Sequence, residues 1–366
     1  MKRRTFLQKA GIGSLVLPST LSTLASCQSS STPKVLILGG TYFVGPAVVQ
    51  AMQEIGADIT LFNRGETNPD LFPDLRHIAG DRLEGAAAYT AVQNQDWDVV
   101  VDVWPEDSAL VDQATQSLQE STKHYVFISS IAVYRNFQEV GLHEESEQVT
   151  LPSSRDEWYY SEHKAFAEQL VRERFPGRHT ILRPGPIKGW RDPEVDLLYW
   201  LVKLREQTEL LGPGTGSDPL QFIDVKDVGR FVAQAIERKW VGTYNTTGPR
   251  IEPILWQEFL QIAKQHLGVE TKTYWPSEEF LQEQQVHSFS DLPLWAPLSE
   301  DRGFMQISND KLHSLGFELS PLEDTIQDCL SWFAQTHPNG VEFGVSNRAG
   351  LAFERERELL ELWKVT

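Results

Sequence analysis

The sequence predicts an α/β fold built on a doubly wound parallel sheet with a smaller C-terminal substrate region, and three observations predict it. Lys34-Val35-Leu36-Ile37-Leu38 is a continuous apolar run closed by Gly39-Gly40, as a strand buried on both faces should be. Strand-like and helix-like segments then alternate at the spacing of βαβ units. A helix opening on Tyr160-Ser161-Glu162-His163-Lys164 follows a strand that ends in Ser129-Ser130.

Taken in order, the run 34–38 is the first strand, and residues 47–55 carry helical spacing of apolar side chains. Strands are expected at 58–62, 77–79, 99–103 and 125–129, with a helix over 108–120 between the last two. A helix from Tyr160 to about Arg174 ends near Pro176-Gly177, and Thr180-Ile181-Leu182-Arg183 is a sixth strand closing at Pro184. Beyond Gly185 the pattern changes. Pro186, Gly189, Pro193 and Gly212-Pro213-Gly214 punctuate short elements, which read as a partly intercalated substrate region. Residues 221–225 read as a strand, followed by a helix through Arg238, and Tyr244-Asn245 returns to the main sheet. The stretch from Leu351 to Trp363 sets glutamates beside leucines and reads as an amphipathic helix. The expected organisation is therefore residues 1–26 as an export signal, 27–33 as a tether, 34–184 as the nucleotide-binding domain, 185–335 as the substrate region and 336–366 as a helical tail.

The first residues carry Lys2-Arg3-Arg4-Thr5-Phe6-Leu7, an apolar stretch from Gly11 to Leu24, and Leu24-Ala25-Ser26-Cys27. Twin arginines before Phe and Leu resemble a twin-arginine export signal, and the second box resembles a lipoprotein cleavage site that leaves Cys27 acylated. The alternative is an ordinary secretory signal with a chance cysteine. The apolar segment is short and broken by Pro18, which argues against a membrane span. Removing residues 1–26 takes away four cations and no acids, so the formal charge of −18 becomes −22. That balance argues against nucleic acid and anionic lipid as partners. With Cys27 acylated, Cys329 stands alone, so no intramolecular disulfide is expected in an oxidising compartment. The expected location is the periplasm or cell envelope, with the membrane touched only through a lipid on Cys27.

Gly39-Gly40-Thr41-Tyr42-Phe43-Val44-Gly45 sits where a strand meets a helix, and there glycines let backbone N–H groups approach a pyrophosphate at the helix N-terminus. Tyr42 takes the place of the middle glycine, so the phosphate approach differs and the ring lies over the cofactor; a purely structural turn is the alternative. Gly212-Pro213-Gly214-Thr215-Gly216 looks alike but precedes a strand, which makes it a loop. The second strand ends in Asn63-Arg64, where an acid would read the ribose of NAD. An arginine suits a 2′-phosphate, favouring NADP over NAD, unless Arg64 is a solvated turn residue. In Gly80-Asp81-Arg82, Asp81 either meets an adenine amino group or caps a helix. Tyr160 and Lys164, four apart on a helix, share one face, so the ammonium is expected to lower the phenol pKa and let it trade a proton near neutral pH. Tyr199 and Lys203 show the same spacing, but only Tyr160 follows the serine-bearing strand. His163 points to another face and reads as a surface residue. No cluster of His, Cys and acids has metal-ligand spacing. Trp104, Trp158, Tyr159, Trp190, Tyr199 and Trp200 are either cleft rings for a sugar or aromatic substrate or ordinary core. The acids from Glu139 to Glu147 read as a solvated face.

The glycine turn, Ser129-Ser130-Ile131-Ala132-Val133-Tyr134, Tyr160 to Lys164, and Leu182-Arg183-Pro184-Gly185 together resemble the short-chain dehydrogenase/reductase superfamily, in its extended and atypical epimerase/dehydratase branch with a Rossmann-type sheet. Phe62-Asn63-Arg64-Gly65, Gly80-Asp81-Arg82 and Phe222-Ile223-Asp224-Val225 are similar to bacterial isoflavone-reductase-like proteins. The resemblance spans most of residues 34–335. It implies Ser130 as the hydroxyl holding the reacting oxygen, Tyr160 as general acid or base, and Lys164 on the nicotinamide ribose. It further implies cofactor contacts from Gly39 to Gly45 and at Asn63, Arg64, Asp81, Arg82, Ser129 and Pro184. The expected activity is hydride transfer at a secondary alcohol or ketone of a small molecule, with room for a homodimer. Outside the cytoplasm no reduced cofactor pool exists, so a retained cofactor and redox-neutral turnover, as in an epimerase or dehydratase, are expected. A scaffold that uses nucleotide only structurally is the alternative, and an RNA-binding relative fits poorly with the charge.

Overall fold

A computed structural model describes residues 32–103, 106–345 and 349–365 of the chain, so the expected export signal, Cys27 and most of the tether lie outside the described residues, as does Trp104. The central apolar runs become strands because β-branched side chains are covered on both faces, whereas Arg76–Ala79 pairs as an exposed edge strand. They are β1 (Lys34–Leu38), β2 (Asp58–Asn63), β3 (Arg76–Ala79), β4 (Trp97–Asp102), β5 (Thr122–Ile128), β6 (His179–Pro184) and β7 (Gly242–Thr246). All pair in parallel, in the order β7-β6-β5-β4-β1-β2-β3. The chain winds outward from β1 to β3, then crosses back to lay β4 on the other side of β1. That reversal opens a crevice beyond the carboxyl ends of β1 and β4, where an open parallel sheet receives ligands.

The helices include α1 (Val44–Glu54), α2 (Ser108–Leu118), α3 (Tyr160–Arg174), α4 (Asp196–Glu206), α5 (Val225–Arg238) and α6 (Trp256–Leu267). Alternation along the strands divides them between two faces. Val35, Ile37, Val99 and Val101 face α1 and α5, whereas Leu36, Leu38, Val100 and Phe127 face α2 and α3. On the first face, a Cβ at Gly229 of α5 would collide with the backbone of Ala47, so glycine is what lets α1 and α5 approach closely.

A further core gathers Leu197, Trp200, Trp256, Phe259, Ile326 and Leu360. It joins α4 and α6 to the helix Leu322–Thr336 and to the C-terminal helix Phe353–Val365. The C-terminal helix docks through Glu356, which is fully buried and accepts from Lys203 Nζ at 2.5 Å, Gln207 Nε2 at 2.8 Å and Leu211 N at 2.8 Å. The strand expected at 221–225 is reduced to Ile223-Asp224, paired with Ile187-Lys188. The reason is that Asp224 caps α5, accepting from Lys226 N at 2.7 Å, and commits Val225 to the helix. Among the described residues no helix is long and apolar enough to cross a membrane.

Candidate active site

At the end of β1 the backbone turns through Gly39 and Gly40 at φ 114° and 99°. A Cβ on Gly45 would lie 2.6 Å from the Gly40 carbonyl carbon, so the turn folds directly against the first residues of α1. This bare backbone cradle at a helix N-terminus fits the pyrophosphate of a dinucleotide. Thr41 is held through its carbonyl, which accepts from Asn68 Nδ2 at 2.8 Å, and Phe43 continues the turn at φ 41°. Tyr42, in the same turn, stands 58% exposed.

Asn63, expected at the cofactor, turns its side chain into the turn. Its Nδ2 donates to Gly39 O at 2.7 Å and its Oδ1 accepts from Gly65 N at 2.8 Å, which clamps the ends of β1 and β2 together. Arg64 projects outward, exposed, and pairs with Glu66 at 3.3 Å. Asp81 is a helix cap, accepting from Leu83 N at 2.9 Å. Arg82 departs from the expectation of a cofactor contact by its side chain. Its guanidinium is committed inside the fold, donating to Asp102 at 2.7 and 2.9 Å, to Tyr89 OH at 3.0 Å and to Leu110 O at 2.9 Å.

Along the same edge, β5 ends at Ile128 and the chain turns through Ser129 and Ser130. Ser129 is buried, its backbone donating to Leu182 O at 2.7 Å, and Pro184 is buried at the end of β6. The Ser130 hydroxyl accepts from Ala132 N at 3.1 Å, leaving its proton for another oxygen. Tyr160 opens α3, where Glu162 accepts from Tyr159 N at 3.0 Å. One turn later Lys164, 2% exposed, donates to Ile128 O at 2.9 Å with its Nζ 5.6 Å from the Tyr160 ring. Ser130, Tyr160 and Lys164 thus meet at the carboxyl edge beside the glycine turn.

Their electrostatics correct the expected direction. Tyr160 is 43% exposed as a whole residue, yet desolvation pushes its hydroxyl above the usual tyrosine value. A hydrogen bond with Ser130 pulls it down, while the carboxylates of Glu106 and Glu194 push it further up. Desolvation brings the Lys164 ammonium itself down to about 8, against the opposing pull of Asp102 and Glu168.

Arg183, given no site role by the sequence beyond its place in the Leu182-Arg183-Pro184-Gly185 motif, is fully buried and ties the site together. It donates to both oxygens of Glu168 on α3, at 2.9 and 2.7 Å, to Tyr134 OH at 3.1 Å and to Glu144 O at 2.9 Å. Tyr134 in turn donates to Asn245 of β7 at 2.6 Å. Glu144 also accepts from Asn245 N at 2.7 Å, so it is part of this network and not of a solvated face. Glu168 and Asp102 were missed as supports; their signal was a carboxylate inside an otherwise apolar pattern.

His163, expected at the surface, packs its ring edge against Trp158 and sets Nδ1 3.0 Å from the Ser108 hydroxyl at the start of α2. Tyr199 and Trp200 are core, fully buried in α4. Trp158 is half-buried and donates to Pro152 O at 2.9 Å, Tyr159 is exposed, and Trp190 is half-buried with Arg191 over its ring.

The sequence profile of the NAD dependent epimerase/dehydratase family matches residues 35–246, more than half of the chain. The enzyme WbmG of Bordetella bronchiseptica, solved in complex with NAD, superposes with a TM-score of 0.60 at 15% identity, covering 85% of this chain and 96% of that one. The UDP-Glc/GlcNAc 4-epimerase of Campylobacter jejuni gives 0.60 at 16%, covering 83% and 99%. At those identities the likeness is one of fold. Chloroplast stem-loop binding protein of 41 kDa b from Arabidopsis thaliana is 27% identical over 213 residues, 55% of this chain and 54% of that protein, so the chain spans about half the length of this curated relative.

Proposed function

The chain belongs to the NAD dependent epimerase/dehydratase family, a family of enzymes, and on that premise we propose an NAD(P)-dependent oxidoreductase of the extended short-chain type that moves hydride at a secondary alcohol or ketone. The observation that carries this reading is the meeting of Ser130, Tyr160 and Lys164 at the crevice edge beside the glycine turn. When bound, the nicotinamide ring supplies the place from which hydride leaves or at which it arrives. Ser130 holds the reacting oxygen of the substrate. Tyr160, kept protonated at neutral pH by the burial of its hydroxyl, gives a proton to a carbonyl oxygen and recovers it on reversal. Lys164 holds the ribose hydroxyls, and Tyr42 with the turn from Gly39 to Gly45 holds the pyrophosphate.

The substrate is a small sugar-like or aromatic molecule, a reading supported by the UDP-Glc/GlcNAc 4-epimerase among the structures that share the fold. The protein is exported with its cofactor inside and anchored by a lipid on Cys27, so turnover is redox-neutral, as in an epimerase or dehydratase. Protein purified from native membranes should release nicotinamide nucleotide on denaturation, detected by mass spectrometry. Recovery of empty protein that exchanges nucleotide rapidly counts against retention.

A scaffold that holds nucleotide without turnover is the second reading; the Arabidopsis relative is named for binding stem-loops and not for a reaction. Tyr160→Phe separates the two. With product formation from a panel of sugars read by chromatography and mass spectrometry, it should lose about a hundredfold or more in turnover with cofactor affinity little changed, and unaltered turnover refutes the assigned role.

A further inference from the structure

The carboxylate of Asp102 stands at the end of β4, fully buried, one strand away from the buried ammonium of Lys164. Asp102 lies in register with Phe127 of β5, and paired residues of parallel strands project to one face, here the face covered by α2 and α3. Lys164 reaches the same place from α3, its Nζ 5.1 Å from the Phe127 ring and 2.9 Å from the carbonyl of the next residue, Ile128. Tyr125, two residues earlier on β5, donates to Asp102 Oδ2 at 2.8 Å.

We propose that Asp102 is a positioning residue for the reaction at Tyr160: its buried charge keeps Lys164 an ammonium, and Arg82, by its bidentate hold on the same carboxylate, limits how much of that charge Lys164 receives. The inference rests on the reading of Lys164 as the group that holds the nicotinamide ribose. A backbone carbonyl is a neutral acceptor and does not offset the desolvation of an ammonium, so an anion must. The charged groups facing Lys164 are Asp102 from β4, Glu168 from its own helix, Arg82 after β3 and Glu106 before α2. Glu168 is already matched by Arg183 at 2.7 Å and Arg172 at 2.5 Å. Asp102 is paired with Arg82 at 2.7 Å. The loop after β3 and the catalytic helix therefore draw on one carboxylate.

Removing the two partners should act with opposite sign, which a merely structural role would not produce. In full-length protein carrying isotope-labelled lysine, the titration of Lys164 is read by NMR at Cε. Asp102→Asn should lower its midpoint by about one pH unit or more, and Arg82→Met should raise it. Because Asp102→Asn leaves Arg82 buried without its anion, the pair Arg82→Met/Asp102→Asn, which orphans no charge, provides a second test and should titrate below the wild type. NADH affinity, followed by nicotinamide fluorescence, should fall as pH rises through each midpoint, since the ammonium is the ribose-holding form. Midpoints that stay in place, or that move in the same direction in both single variants, overturn the proposal. Failure of the wild type, once freed of retained nucleotide, to bind either NADH or NADPH would instead overturn the cofactor reading, while the Lys164 midpoints would still decide the role of Asp102.

Discussion

Tyr160 and Lys164 stand one helical turn apart, and that spacing, with the serine-ended strand before it, is legible in the residues alone. The charge each carries is not legible, because it depends on groups brought from elsewhere. Glu106 and Glu194 bear on the tyrosine hydroxyl, and Asp102, sixty-two positions before Lys164, bears on the ammonium. Asn63 and Arg64 make the same point: adjacent in sequence, they were read as one ribose-facing pair, but the alternation at a strand end turns one inward to clamp Gly39 and leaves the other outside. Arg64 remains the candidate for a 2′-phosphate, with Glu66 as its competitor. Arg64→Ala should weaken NADP binding by about tenfold and leave NAD within about twofold, measured by calorimetry; equal losses for both would remove the 2′-phosphate assignment.

Among the elements, α3 was read at its observed ends because Tyr160 to Arg174 carries its own helical pattern and stops at Pro176-Gly177. The first six strands were read within a few residues, since an apolar run buried on both faces shows itself locally; β3, an exposed edge strand, was placed by the βαβ spacing. The segment 221–225 was misread because apolar residues suit a strand and a helix start equally, and the deciding signal was Asp224 as an N-cap. The close approach of α1 and α5 had no local signal beyond a glycine in a helix. Gly229→Ala should separate them, lowering stability by about 1–3 kcal/mol in urea unfolding and weakening dinucleotide binding through the displaced start of α1. A variant as stable as the wild type would show that the helices accommodate the methyl group.

Over the whole molecule, the region after Gly185 and the C-terminal helix draw on one core, and the last helix is fastened by a buried ion pair between Lys203 and Glu356, 153 positions apart. Glu356→Ala strands the ammonium, so unfolding in urea should show a loss of about 3–5 kcal/mol, whereas Lys203→Met/Glu356→Leu should recover most of it. A double variant no better than the single one would place the cost in packing. The sequence alone determined the wound sheet, the bare backbone at its first turn and the tyrosine-to-lysine spacing, because periodicity, glycine conformation and helix geometry act over a few residues. Only the tertiary structure decided that Asn63 serves the turn, that Arg82 and Arg183 are committed to buried carboxylates, and that Tyr160 is held protonated. Those outcomes follow from desolvation and from charges that become neighbours only when distant strands pair and helices close over them.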